Sequence, residues 1–194
     1  QIVIALGIVA CGYQMKTISM FGWDVPLGLL AVPVSVLWLL LTINSLNLID
    51  GADGLCSSVG WIASAGVAAL ATLHGHVLEG AIAAGLAGGL LGFLVYNFPP
   101  AKVFLGDAGS MLVGLVIGAL ALRSSLKGAT TVSLLGPIAI LAIPFFDSSM
   151  AIVRRKLTGR SIFSTDRGHI HHSLIRWGLT NRGLVVAINV ACAI

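Results

Sequence analysis

Asn44, Asn47 and Asp50 stand at i, i+3 and i+6 in NSLNLIDGADGL (44–55), where an apolar run ends. On a helix that spacing makes one drifting polar stripe. Gly51 then lets the chain turn, and Asp53-Gly54 repeats the Asp-Gly pair. A second group, FPPAKVFLGDAGSMLVG (98–114), closes one apolar run at Pro99-Pro100 and opens another at Gly106-Asp107. Near a helix N-terminus, Asp107 would lie where backbone N–H groups and the helix dipole favour anions. The flanking glycines would let backbone approach a phosphate or a hydrated metal. Lys102 stands close by as a partner for phosphate. A third group, STDRGHIHHSLIRWG (164–178), gathers His169, His171 and His172 within four residues, near Arg160 and Arg167.

Carboxylate and amide oxygens suit Mg²⁺, which takes few protein ligands and keeps water and substrate phosphates. Mn²⁺ would fit the same donors. HxHH with no cysteine partner lacks structural-zinc spacing, whereas histidines beside arginines suit a diphosphate. Together these residues point to a site for a Mg²⁺-bound phosphorylated substrate, without naming the substrate. Each group also has a plainer reading. Asn and Asp cap helices and make turns, a lysine at a span end snorkels, and a polar loop can be rich in histidine.

The elements that must position these residues are membrane spans. Of the 194 residues, 57% are hydrophobic and 9% charged, against about 25% charged in an ordinary soluble domain. Mean hydropathy is +1.02. Crossing about 30 Å of hydrocarbon takes about 20 helical residues. The expected fold is all-α: one polytopic membrane domain over 1–194, with spans near 1–20, 26–48, 57–74, 79–98, 109–126 and 130–150 and an interrupted seventh from about Gly183. Strands are not expected, since the apolar runs are long and lack period-two alternation. Both ends read as cut, so the chain is expected to be an internal piece of a longer protein, inactive alone. Cys11, Cys56 and Cys192 form no CxxC and read as small buried apolar residues.

Charge gives the sides. Residues 151–182 carry Arg154, Arg155, Lys156, Arg160, Arg167, Arg176 and Arg182, which makes this loop cytoplasmic. Counting spans back puts the 49–56 and 99–108 links on that side, with Lys102. Only Lys16, Arg123 and Lys127 fall outside. Asp50, Asp53, Asp107, Asp147 and Asp166 then all lie at the cytoplasmic face, and Asp24 and Glu79 do not. A net charge of +4 here concerns topology and implies no nucleic-acid partner. A transporter would want charge in mid-span, and an aspartate-rich prenyltransferase would want DxxxD pairs on helices; neither pattern is present.

The three motifs, NxxNxxDGxDGL, FxGDxGSxxxG and DRxHIHH, resemble those of the polyprenyl-phosphate N-acetylhexosamine-1-phosphate transferases (glycosyltransferase family 4). They do so in order and spacing over about residues 40–185. The DRxHIHH loop is similar to the WecA/TagO-like branch rather than to the related MraY-like members, whose loop reads PIHHH. The resemblance implies transfer of N-acetylglucosamine-1-phosphate from UDP-GlcNAc to undecaprenyl phosphate, with release of UMP. It places the enzyme in the plasma (inner) membrane, serving cell-envelope polysaccharide synthesis. The MraY-type pentapeptide transferase is the alternative. By the same resemblance Asp107 and Asn47 are metal ligands, Asp50, Asp53 and Asp107 are needed for activity, and Arg160, His169, His171 and His172 close over the nucleotide-sugar diphosphate. Asn44 and Lys102 join as substrate-binding candidates. The family also has an adjacent Asp-Asp pair, which these residues lack and which is expected before Gln1. Oligomeric state is left open between monomer and homodimer.

Overall fold

The computed structural model describes residues 1–20, 23–124, 142–159, 174 and 178–193. Its helices are α1 (Ile2–Ala10), α2 (Ala31–Ile49), α3 (Leu55–Leu73), α4 (Val77–Asn97), α5 (Gly106–Ser124), α6 (Ala142–Leu157) and α7 (Asn181–Ala193). Four stretches are long and apolar enough to cross a membrane: Gly28–Ile49, Leu55–Leu73, Val77–Asn97 and Gly106–Arg123. The protein is a polytopic membrane helix bundle.

The expected first span, 1–20, is corrected. Its helix, α1, stops at Ala10 rather than near residue 20. Gly12 adopts φ +96 and ends it. The chain then forms an antiparallel pair, β1 (Thr17–Met20) with β2 (Trp23–Pro26), in register Thr17↔Pro26 and Ile18↔Val25. The expectation of no strands was drawn from run lengths suited to membrane strands. A pair of four-residue strands at the end away from Asp50 falls below that test. Of the expected sixth span the described part is α6, which continues past 150 through the basic turn Arg154-Arg155-Lys156. The seventh is α7, starting close to the expected Gly183.

α3 is the centre of the bundle and α4 its flank. Of the two spans 56% and 22% are buried, and α4 leaves Val77, Leu78, Ile82, Leu91 and Val95 exposed. One core cluster joins α3, α5 and α7 around Leu55, Val59, Ile117, Leu184 and Ile188. A second joins α1, α2 and α5 around Val9, Leu39 and Leu122.

The packing that matters for the site is α2 on α5. A Cβ added at Gly114 would lie 2.7 Å from both Ile43 Cα and Thr42 O, and one at Gly118 would overlap Thr42 Oγ1. This glycine pair, four residues apart, lets the two backbones touch. The indole N–H of Trp38 donates to Gly118 O at 3.0 Å, satisfying a buried polar group across the same seam. The helices run antiparallel, so one turn beyond the Ile43–Gly114 contact lie Asn47 and Ser110. Cys56 and Cys192 are buried as expected, but Cys11 is exposed, because it lies just past the end of the short α1.

Candidate active site

Three segments meet at one end of the bundle: the turn after α2, the link from α4 to α5, and the first turn of α5. The turn from Asp50 to Gly54 ends with Gly54 at φ +72, against the α4–α5 link. A Cβ there would sit 3.2 Å from Pro99 Cδ and 3.3 Å from Asn97 O. Gly106, at φ +68, starts α5 and brings Asp107 into its first turn. Between these segments lies a cleft of about 240 Å³ lined by Asp50, Asp53, Asn97, Phe104, Gly106 and Asp107, among others.

Asn47 stands beside Asp107. Its side-chain N–H groups donate to Asp107 Oδ1 at 3.1 Å and to Ser110 Oγ at 3.0 Å. Asp50 caps α2 just outside the span, and its backbone N–H donates to Asn47 O at 3.2 Å. Burial pushes the Asp50 carboxyl up from 3.8 to about 6. The charge of Asp107 pushes the same way, and the backbone N–H of Gly106 pulls it down. Asp53 is used differently: its Oδ2 accepts the backbone N–H of Ala101 at 3.1 Å, which fastens the 98–105 link.

The structure thus brings Asn47, Asp50, Asp53 and Asp107 together. Lys102 is exposed on the same link, next to the residue that Asp53 holds, and does not line the cleft. Asn44 is corrected. It is exposed, and its amide donates to Gln1 Oε1 at 2.9 Å and to Leu40 O at 2.7 Å, away from the cleft. At about 100° per residue it lies about 60° round the helix from Asn47, enough to leave the buried face. Asp147 does not reach the face either. It is buried within α6, two residues past Phe145, whose ring packs edge-on against Trp38. Arg160, His169, His171 and His172 lie outside the described residues.

Three further residues shape the cleft. Asn97 is buried and spends both ends of its amide: Nδ2 donates to Val103 O at 2.8 Å, and Oδ1 accepts from Ser57 Oγ. Arg182, at the start of α7, donates through Nε to Pro99 O at 2.9 Å. Ser110 is fully buried beneath Asn47. An asparagine ending an apolar run before Pro-Pro was a visible signal for Asn97. Ser110 stood inside the GDAGS motif, while Arg182 looked like one more cytoplasmic charge.

Among the described residues no three His, Cys, Asp or Glu side chains gather as a metal cage. Two carboxylates close enough to feel each other's charge, beside one side-chain amide, make a sparse oxygen-rich donor set. That set fits a hard divalent cation that keeps most of its water, and does not fit a closed zinc site.

The sequence profile of glycosyl transferase family 4 matches residues 1–125, the stretch that contains the whole cleft. The chain belongs to this family. The family 4 chain is 40% identical over 190 residues to a probable undecaprenyl-phosphate N-acetylglucosaminyl 1-phosphate transferase of Bacillus subtilis, covering 97% of this chain and 53% of the relative. It is 38% identical over 178 residues to a decaprenyl-phosphate N-acetylglucosaminephosphotransferase of Mycobacterium tuberculosis, covering 82% and 43%. It is also 39% identical over 158 residues to a phospho-N-acetylmuramoyl-pentapeptide-transferase of Moorella thermoacetica, covering 80% and 48%. The family 4 chain therefore spans about half the length of the curated relatives it matches.

Proposed function

We propose that this chain carries much of the catalytic core of a transferase that moves N-acetylglucosamine-1-phosphate from UDP-GlcNAc to undecaprenyl phosphate. The reaction releases UMP and would feed cell-envelope polysaccharide synthesis. The observation that carries the reading is the meeting of Asp50 and Asp107 at one cleft, with Asn47 bonded to Asp107, from segments far apart in sequence. The named activities of the Bacillus and Mycobacterium relatives support it. The similarity to a pentapeptide transferase keeps UDP-N-acetylmuramoyl-pentapeptide as the second donor to test. The basic turn of α6 and Arg182 support a cytoplasmic cleft in the plasma membrane.

Asn47 and Asp107 would hold Mg²⁺, with Mn²⁺ as a substitute. The bound cation would neutralise charge on the diphosphate. In the reaction a lipid-phosphate oxygen attacks the sugar-bearing phosphorus of UDP-GlcNAc, and the bond to the oxygen of the uridine-bearing phosphate breaks. UMP leaves with that oxygen. Asp50 faces the cleft, and its carboxyl near 6 matches the second ionisation of a phosphate monoester, also about 6. It therefore suits acceptance of the lipid phosphate's proton. Asp53 positions: one of its oxygens holds the link that forms the cleft's rim. Arg160, His169, His171 and His172 would bind the diphosphate from the following loop.

The activity is proposed for the whole transferase, and the 194 residues alone are expected to release no UMP. The test uses the complete natural protein in lipid nanodiscs, with UDP-GlcNAc and undecaprenyl phosphate and UMP release as the readout. Asp107→Ala should lower turnover by about a thousand-fold at saturating Mg²⁺. Near-normal turnover would sink the assignment of Asp107. UMP release from the pentapeptide donor alone would move the chain to the other branch.

A further inference from the structure

We propose that the strand pair β1–β2 is an interfacial anchor: its apolar face lies in the headgroup–acyl boundary of the leaflet at the end away from the cleft, and its partner is the lipid surface itself.

The register sorts the ribbon into two faces. Residues directly opposite one another in an antiparallel pair share a face, and neighbours along a strand alternate. Ile18 stands opposite Val25 and Met20 opposite Trp23, while Thr17 stands opposite Pro26 and Ser19 opposite Asp24. Backbone alternation therefore puts four apolar residues on one face. The other face takes a threonine, a serine, an aspartate and a proline. A two-stranded ribbon is barely stable alone in water and needs its apolar face covered. Of the described side chains on that face, Ile18 packs against the core of α1, α2 and α5, but Val25, directly opposite, is 54% exposed.

The ribbon also starts at membrane depth. The N–H of Met15, two residues before β1, donates to Ser35 Oγ at 2.7 Å. Ser35 lies seven residues into the span Gly28–Ile49, about 10 Å along its axis. The N–H of Leu27 donates to Lys16 O at 2.9 Å and closes the base of the ribbon beside the same helix. The chain thus enters β1 alongside the span and not beyond its end. Leu29 and Leu30, three and four residues past the ribbon, are 98% and 62% exposed, so exposed apolar surface of the span adjoins that of the ribbon. An element apolar on one side and polar on the other, standing where a span ends, suits the bilayer interface, where tryptophan gathers. One exposed valine alone would carry nothing. The inference comes from the two-faced register together with the depth of its base. The anchor holds the start of α2 at a set depth, at the opposite end from Asp50.

The experiment uses the complete transferase in phosphatidylcholine vesicles, with nitroxide labels read by electron paramagnetic resonance. Labels go on Val25→Cys, on the apolar face, and on Thr17→Cys, on the polar face. The background is Cys11→Ser with its own signal subtracted, since Cys11 is exposed while Cys56 and Cys192 are buried. Collisions with oxygen, which concentrates in lipid, are compared with collisions with a water-soluble nickel chelate. The oxygen-to-nickel ratio should be several-fold higher at Val25 than at Thr17. Equal access of both labels to the nickel chelate would put the ribbon in water and overturn the proposal. A Val25 label reached by neither collider would mean that protein covers the face, which overturns it too; dipolar broadening would then identify a second copy. Should Val25→Cys not fold, tryptophan fluorescence decides. Lipids brominated near the headgroup should quench Trp23, seen as quenching that Trp23→Phe loses. Equal quenching of wild type and Trp23→Phe overturns the proposal.

Discussion

Asp50 is a carboxyl kept from water at the mouth of a greasy bundle, with a second carboxylate nearby. Its value of about 6 against the ordinary 3.8 has a consequence for stability. Between those two values the folded protein holds more proton than the unfolded chain. The contribution of Asp50 is therefore fully present below about 3.8 and is lost as pH rises through about 6. The full shift corresponds to about 3 kcal/mol, and solvent reaching this half-buried group reduces it to about 1 kcal/mol. Asp50→Asn, which cannot ionise, should melt higher than the wild type at about pH 8 without divalent cations and equal it at about pH 4. Its UMP release should fall at both. Parallel pH slopes of melting temperature in the two proteins would contradict the placement of Asp50. Residues of this kind were legible in the sequence because acids and amides are rare in a chain with 9% charge. Asn44 lies off the cleft because a three-residue step turns a helix by about 300°, so the stripe drifts off the face it began on. The bonds of Ser110, Asn97 and Arg182 are made across 63, 40 and 83 residues of sequence, and no local pattern announces them.

Helices α2 to α5 lie within a few residues of the expected spans, since each is an apolar run bounded by an Asp-Gly, His-Gly or Pro-Pro break. The early end of α1 and the strand pair after it were hidden because averaged hydropathy does not register the one residue, Gly12, whose φ of +96 stops the helix. Nor does composition separate glycines that do different things. Gly114 admits the α2 backbone, whereas a Cβ at Gly85, on the outward face of α4, meets nothing within 4 Å. Gly114→Ala should push α2 from α5, cost about 1–3 kcal/mol and weaken Mn²⁺ binding, though it touches no substrate. Gly85→Ala should stabilise by up to about 1 kcal/mol and leave UMP release unchanged. A Gly114→Ala protein with wild-type metal affinity would show that the seam does not set the Asn47–Asp107 spacing.

Across the whole molecule the two ends of the bundle carry different chemistry. At the end away from the cleft Arg123 reaches Glu79 at 3.2 Å and lies 5.4 Å from the centre of the Tyr13 ring, tying α4, α5 and the segment after α1. Its side chain is 41% exposed, so the pair contributes at most about 1 kcal/mol. At the cleft end Arg182 donates to Pro99 O, Asp53 accepts from Ala101, and Asn97 donates to Val103, so three side chains hold one link. Arg182 also begins α7, which follows His169, His171 and His172 in sequence, and it ties the start of α7 to the rim of the cleft. Loss of this tie should loosen the link while the carboxylates stay in place. Arg182→Ala is therefore expected to raise KM for UDP-GlcNAc by about ten-fold, as one charge-assisted hydrogen bond of about 1.5–3 kcal/mol would suggest, with kcat little changed. Glu79→Gln should change neither constant and lower melting only slightly. Steady-state UMP release and a thermal melt on both variants decide the matter. A kcat loss in Glu79→Gln as large as the KM change in Arg182→Ala would mean that the end away from the cleft is coupled to the chemistry, against a bundle in which one end reacts and the other only fastens.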